Sequence, residues 1–278
     1  MSRATPDLAE LYRALRMAPP TLTQEDVAAR AGVAHEDSVR WWRAMGFPEV
    51  PAGETMFTED DVEMVGRLRE VLDDGVVDEI DILRLARLMG SSFSRMVDAQ
   101  LAIVDEQARL EGADRLSTLR AEADVIDTIE RAMVYVWRRH MLAALVNQLS
   151  FDRDDTEQAV GFADLSGFSR VSKEVGAAEL TGIIETFESV AFDAVSTHGG
   201  RVVKLLGDEV MFVAPDLDTA VAIGVDLISR LAAIERVPPV HCGIAFGPTV
   251  TVGGDVFGPT VNLASRLTGI ARPDSVAL

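Results

Sequence analysis

Two acids in the second half of the chain stand where short apolar runs end. The run Val160 to Ala163 delivers Asp164, and the turn Ser166-Gly167-Phe168-Ser169 follows. After Gly199-Gly200, the β-branched run Arg201-Val202-Val203 leads through Lys204 to a second acid in Leu206-Gly207-Asp208-Glu209. Two carboxylates at strand ends, with glycine close by, suit a hard divalent cation. Mg²⁺ takes oxygen ligands and typically binds through one or two carboxylates plus substrate phosphates. The turn after Asp164 offers backbone N–H groups to such phosphates. A third cluster runs from Gly254-Asp255-Val256-Phe257-Gly258 through Pro259 to Asn262 and Arg266. Proline near a helix start puts Asn262 and Arg266 at i and i+4, on one face. An amide and a guanidinium there suit a ribose and a phosphate, since arginine fits a planar, multi-oxygen anion. Lys204 and Asp208, four residues apart in the sequence, are separated by roughly 13 Å on an extended strand. They are therefore not simply an ion pair and can serve different sites.

The elements that must position these residues follow from periodicity. Leu180, Ile183, Ile184, Phe187, Val190, Ala191 and Ala194 keep helical spacing, Val202 to Val213 reads as two strands around Gly207-Asp208, and Thr219 to Ile234 is a second helix. Val240 to Phe246 is a further strand, Thr249 to Phe257 another strand region, and Ser275 to Leu278 a last strand-like run. The order β-α-β-β-α-β predicts an α+β, ferredoxin-like (split βαβ) sheet over residues 151–278.

The first half is helical. Thr23 with Asp26, and Thr58 between Phe57 and Val62, are helix starts of capping-box and hydrophobic-staple form. From Ile80 to Leu149 the chain lacks proline, and Gly90 and Gly112 are expected breaks. Ile129, Met133, Val136, Trp137, Met141, Leu145 and Leu149 recur at three- and four-residue steps, a seam facing a partner helix. The division expected is an all-α regulatory domain over 1–125, a coupling helix over 126–150 and a catalytic domain from 151.

Charge and composition narrow the functions. A net charge of −19 repels polyphosphate backbones at long range. Arg40 and Arg43 stand against Glu36 and Asp37 in the candidate second helix of a helix-turn-helix, which argues against DNA. The single cysteine, Cys242, permits no intrachain disulfide and reads as a buried thiol. No apolar run reaches the length of a membrane span and the N-terminus has no signal-peptide core, so a cytoplasmic protein is expected.

The stretches GFADLSGFS, VVKLLGDEVMF and DVFGPTVNLASR, in this order, resemble the catalytic core of class III nucleotidyl cyclases, specifically bacterial adenylate cyclases. The segment from about 21 to 75 is similar to the DNA-binding head of MerR-type regulators. The cyclase resemblance implies that Asp164, Asp208 and the Leu165 carbonyl hold two Mg²⁺ or Mn²⁺ ions, and that Lys204 with Asp255 selects adenine. It implies that Asn262 orients the ribose and Arg266 stabilises charge at the α-phosphate. Ser166, Gly167 and Phe168 fall at the phosphate turn. It further implies conversion of ATP to cyclic AMP and pyrophosphate at sites shared across a head-to-tail homodimer. The family's phosphate-assisting arginine is matched by His241. Two other readings stay open: a catalytically silent cyclase-like module that binds nucleotide, and a MerR-like DNA-binding regulator. A diguanylate cyclase is set aside, because Leu206-Gly207-Asp208-Glu209 lacks that family's double glycine.

Overall fold

A computed structural model of the chain describes residues 8–114, 117–118, 123–150 and 157–278. The chain forms two compact units, Met1–Asn147 and Gln148–Leu278, so the helix expected to couple the halves falls almost wholly in the first.

In the first unit, helices α1 (Leu8–Ala14), α2 (Gln24–Ala31), α3 (His35–Ala44), α4 (Glu59–Asp73), α5 (Glu79–Glu111) and α6 (Ala123–Ser150) follow one another. Both capping boxes form: Thr23 with Asp26, and Thr58 with Asp61. Leu22 bridges Phe57, and these two build a small core with Val27 and Val50. Trp42 closes it, stacking on Phe47 at 4.2 Å and meeting Phe57 edge-on at 4.9 Å. Trp41 is buried and donates its indole N–H to Glu79 at 3.0 Å.

One expectation is corrected here. Gly90 does not break the chain; α5 runs unbroken for 33 residues and ends in the left-handed Gly112. A Cβ at Gly90 would lie 2.0 Å from the Met45 carbonyl oxygen, so the glycine marks where α5 meets the end of α3. The two arginines of α3 are spent within the protein. Arg40 pairs with Asp37 and Glu79, and Arg43 with Glu49 at 2.6 Å. On α6, Val136, Trp137, Met141 and Leu145 are exposed, and the side chain of Leu149 lies outside the described residues. No helix among the described residues is long and apolar enough to cross a membrane.

The second unit is built on a five-stranded sheet of order β2-β3-β1-β4-β7, from β1 (Glu157–Leu165), β2 (Arg201–Leu205), β3 (Glu209–Ala214), β4 (Val240–Pro248) and β7 (Ser275–Ala277). Strands β1 to β4 are antiparallel to their neighbours, and β7 joins β4 in parallel. This is the expected ferredoxin-like order with one edge strand added. Helices α8 (Ala177–Thr197) and α9 (Leu217–Ala232) bury one face through Ile183, Phe187, Ile223 and Leu227 against Val210, Phe212 and Ile244. The other face carries Val160, Phe162, Met211 and Val213 under Ala264 of α10 (Pro259–Ile270). A separate hairpin, β5 (Val250–Val252) with β6 (Asp255–Phe257), lies between β4 and α10 in the chain.

Candidate active site

β1 is hydrogen-bonded on both sides, and Asp164 sits at its end, facing Glu209 on β3 and His241 on β4. The apolar residues before it are buried, so the register that hides Val160 and Phe162 also fixes where Asp164 emerges. The N–H of Leu165 donates to the Asp208 carbonyl at 3.1 Å, tying the β2–β3 turn to the end of β1. Gly207 supplies that turn's positive φ of 75°. The two predicted metal acids are thus brought to one corner by backbone bonds, with the buried Leu165 between them.

The corner is crowded with negative charge. Burial pushes the Asp164 carboxyl up, and Asp208 pushes it further against the opposing pull of His241. Burial, then Asp164 and Asp208, lift Glu209 to about 7. Among the described residues no group of three or more His, Cys, Asp or Glu side chains is arranged to hold an ion by itself. Asp164 and Asp208 are the side chains that would hold a divalent cation at this corner, its remaining positions left to ligand oxygens.

His241 is turned toward its own chain. Its Nδ1 lies 2.8 Å from the Ser166 hydroxyl and its Nε2 3.4 Å from Asp164 Oδ2. An imidazole so engaged orients the acid rather than reaching for phosphate, and Ser166 spends its hydroxyl on the ring. Helix α7 (Phe168–Glu174) begins inside the expected turn, with Gly167 in the left-handed conformation as its N-cap. Phe168 packs against the core, so this position offers a ligand its backbone and not its ring.

The third cluster divides in two. Lys204 donates to Asp255 Oδ2 at 2.6 Å, and the Val256 N–H holds the other carboxylate oxygen at 2.8 Å. Burial raises Asp255, but the bonds from Lys204 and Val256 with the charges of Lys204 and Arg201 outweigh it and hold the carboxyl below its usual range. Sequence spacing alone does not disclose this pairing, because 51 residues separate the partners. Asn262 and Arg266 are exposed on α10, and among the described residues their side chains have no hydrogen-bond or ion-pair partner within the chain. Their helix is seated by Gly243, where a Cβ would stand 2.1 Å from Thr268 N, and by Thr260 donating to the Pro248 carbonyl at 2.7 Å. The residue that sequence reading passed over is Arg201, whose guanidinium reaches the Gly254 carbonyl at 3.4 Å.

The split βαβ sheet thus gathers Asp164 and Asp208 at the end of β1 and the Lys204–Asp255 pair at its edge strand. The chain is 37% identical over 262 residues to an adenylate cyclase of Streptomyces coelicolor, a match covering 91% of this chain and 68% of that protein. An adenylate cyclase of Glutamicibacter nicotianae is 32% identical, with 91% and 68% covered. The chain thus spans about two thirds of the length of these relatives and belongs to the adenylate cyclase family. No protein-family model matches it. Among solved structures, the catalytic core of a rhodopsin-guanylyl cyclase in complex with ATPαS is 23% identical, covering 43% of this chain and 74% of that one, with a TM-score of 0.40. A bacterial light-regulated adenylyl cyclase has a TM-score of 0.42 at 20% identity, covering 55% of this chain and 52% of that one.

Proposed function

We propose that the chain converts ATP to 3′,5′-cyclic AMP and pyrophosphate at sites shared by two copies arranged head to tail. The observation that carries this reading is the corner where Asp164 and Asp208 are crowded together, set beside an α10 whose Asn262 and Arg266 face outward unpartnered among the described residues. A pair of Mg²⁺ or Mn²⁺ ions held there would lower the pKa of the ribose 3′-hydroxyl and neutralise the leaving pyrophosphate. The protein does the positioning. Asp164 and Asp208, tethered by the Leu165–Asp208 backbone bond, would hold the ions that in turn bind the triphosphate. Lys204 and Asp255 of the partner copy present an amine and a carboxylate to the adenine edge. Asn262 of the partner copy orients the ribose, and Arg266 beside it meets the charge that grows on the α-phosphate.

The first unit is read as a regulator. Two observations support that over DNA binding: Arg40 and Arg43 are already paired with acids, and the net charge is −19. The exposed apolar row of α6 supports pairing with a second copy as the route by which regulation reaches the catalytic unit.

The test measures cyclic AMP formed by the purified chain with ATP and Mg²⁺ or Mn²⁺. Asp164→Ala and Asn262→Ala are each expected to be inactive alone and partly active when mixed, because one shared site of the heterodimer keeps both groups. Two folded, dimeric mutants that fail to complement would sink the shared site. Binding of ATP with no turnover in the unmutated chain would replace the enzyme by a silent nucleotide-binding module.

A further inference from the structure

Arg201 opens β2 three residues before Lys204, a spacing that in an unbroken strand sends two side chains to opposite faces. Here it does not. The pairing of β2 with β3 shifts between Val202 and Lys204, leaving Arg201 opposite Val213 and Lys204 opposite Met211. Val213 and Met211 belong to the core under α10, whereas Phe212 belongs to the core on the other side of the sheet. Arg201 and Lys204 therefore emerge on the same face. Bulges re-aim side chains in this way, and they recur at sheet edges beside active sites.

That face is where β6 lies against β2. Arg201 donates to the Gly254 carbonyl at 3.4 Å, Lys204 donates to Asp255 at 2.6 Å, and the Lys204 ammonium stands 6.0 Å from the centre of the Phe257 ring. Asp255 and Arg201 also attract one another directly. Val256 anchors β6 in the core under α10, but the other strand and the tip are open. All three residues of β5 are exposed, and the turn is Gly253-Gly254 with φ of 58° and 82°.

We propose that Arg201 is a positioning residue for nucleotide selection: by gripping Gly254 beside the bulge, it fixes the hairpin tip so that Asp255 stays in register with Lys204. The inference rests on the reading of Lys204 and Asp255 as the pair that selects adenine. Without Arg201 the carboxylate keeps its bond to Lys204, but the glycine turn before it is released. A Lys204–Asp255 pair whose backbone seat has loosened discriminates less between an exocyclic amine and a carbonyl on the base. Arginine suits the task because its guanidinium reaches the Gly254 carbonyl while its charge acts on Asp255 at longer range, whereas lysine offers the charge without the planar donor group.

The experiment compares the full chain with Arg201→Ala, Arg201→Lys, Lys204→Ala and Asp255→Ala. It reads kcat and KM for ATP and GTP, together with equilibrium binding of non-hydrolysable ATP and GTP analogues. Arg201→Ala is expected to narrow the ATP-to-GTP ratio of kcat/KM by about tenfold, more through KM than through kcat. The analogues should show the same narrowing, and Arg201→Lys should recover part of it. If Lys204→Ala and Asp255→Ala collapse the ratio while Arg201→Ala leaves it at the wild-type value, the positioning role is wrong and the adenine pair stands. An Arg201→Ala loss that is equal for both nucleotides also overturns it, since that is the signature of general damage. If Lys204→Ala and Asp255→Ala leave the ratio unchanged, the adenine reading fails and this inference falls with it.

Discussion

Glu209 stands directly across the β1–β3 pair from Asp164, and burial with two neighbouring aspartates lifts its carboxyl from 4.5 to about 7. The folded chain therefore binds a proton that the unfolded chain has released between these values. Stability from this group is fully present below about pH 4.5 and is lost as the pH rises through about 7. In metal-free protein, the urea midpoint should be higher near pH 5 than near pH 8, by less than the full shift implies because the half-exposed carboxyl is screened by solvent. Glu209→Gln should flatten that slope and stabilise the protein at the higher pH. An unchanged slope in the variant would mean that Glu209 is already ionised at neutral pH.

Gly90 and Gly66 are both helical, and they should answer alanine with opposite signs. At Gly90 the added methyl meets the Met45 backbone, whereas at Gly66 it meets nothing within 4 Å. Gly90→Ala is expected to destabilise the first unit by about 1 to 3 kcal/mol, as overpacking does. Gly66→Ala should stabilise it by up to about 1 kcal/mol through helix propensity. Chemical denaturation followed by helical circular dichroism checks both.

These glycines show where sequence reading reaches its limit. The capping box at Thr23, the helix start at Thr58, the break at Gly112 and the split βαβ order depend on near neighbours or on periodicity, and all were legible in advance. Gly90 looked like a break because its reason for being small is Met45, 45 residues earlier in the chain. Asp164 and Asp208 could be picked as a pair because each ends an apolar run. Arg201 could not, because its purpose depends on a bulge that reverses the face expected from strand alternation. His241 was legible as a departure from the family but not as a residue held by Asp164 and Ser166. That contact needs the β1–β4 register, which no local pattern encodes.

Gly243 offers a more direct test of how α10 is placed. A methyl there would meet both Thr268 N and the Ala264 carbonyl, at 2.1 and 2.5 Å, so the helix must shift to admit it. Gly243→Ala should lower turnover on the order of a hundredfold, the scale of a misplacement near 1 Å. Metal binding at the Asp164 corner should survive, since β1 and β3 do not move. Calorimetric titration with Mn²⁺ beside the activity assay separates the two effects, and turnover close to wild type would show that α10 tolerates the shift.

Cys242 is fully buried, and burial pushes its thiol up to about 12. The native chain should release no chromophore from a disulfide reagent near pH 8, where a free thiol of ordinary pKa reacts readily. Denaturant should expose one equivalent. Rapid reaction in the native state would mean that β4 opens far more often than its central packing implies.

The arrangement of the sheet has a consequence for how such a protein changes over time. Asp164 sits on the strand paired on both sides, the part of a fold that opens last, while Lys204 and Arg201 sit on the outermost strand and Asp255 on a hairpin hung from it. Substitutions that retune which nucleotide is accepted thus fall on the margin, where small rearrangements cost little stability. Asp164 is separated from them by two intervening ladders of backbone bonds, β1–β3 and β3–β2, whereas Asp208, on the β2–β3 turn, shares their margin. On the proposed reading, choice of substrate is free to drift while Asp164 stays in place.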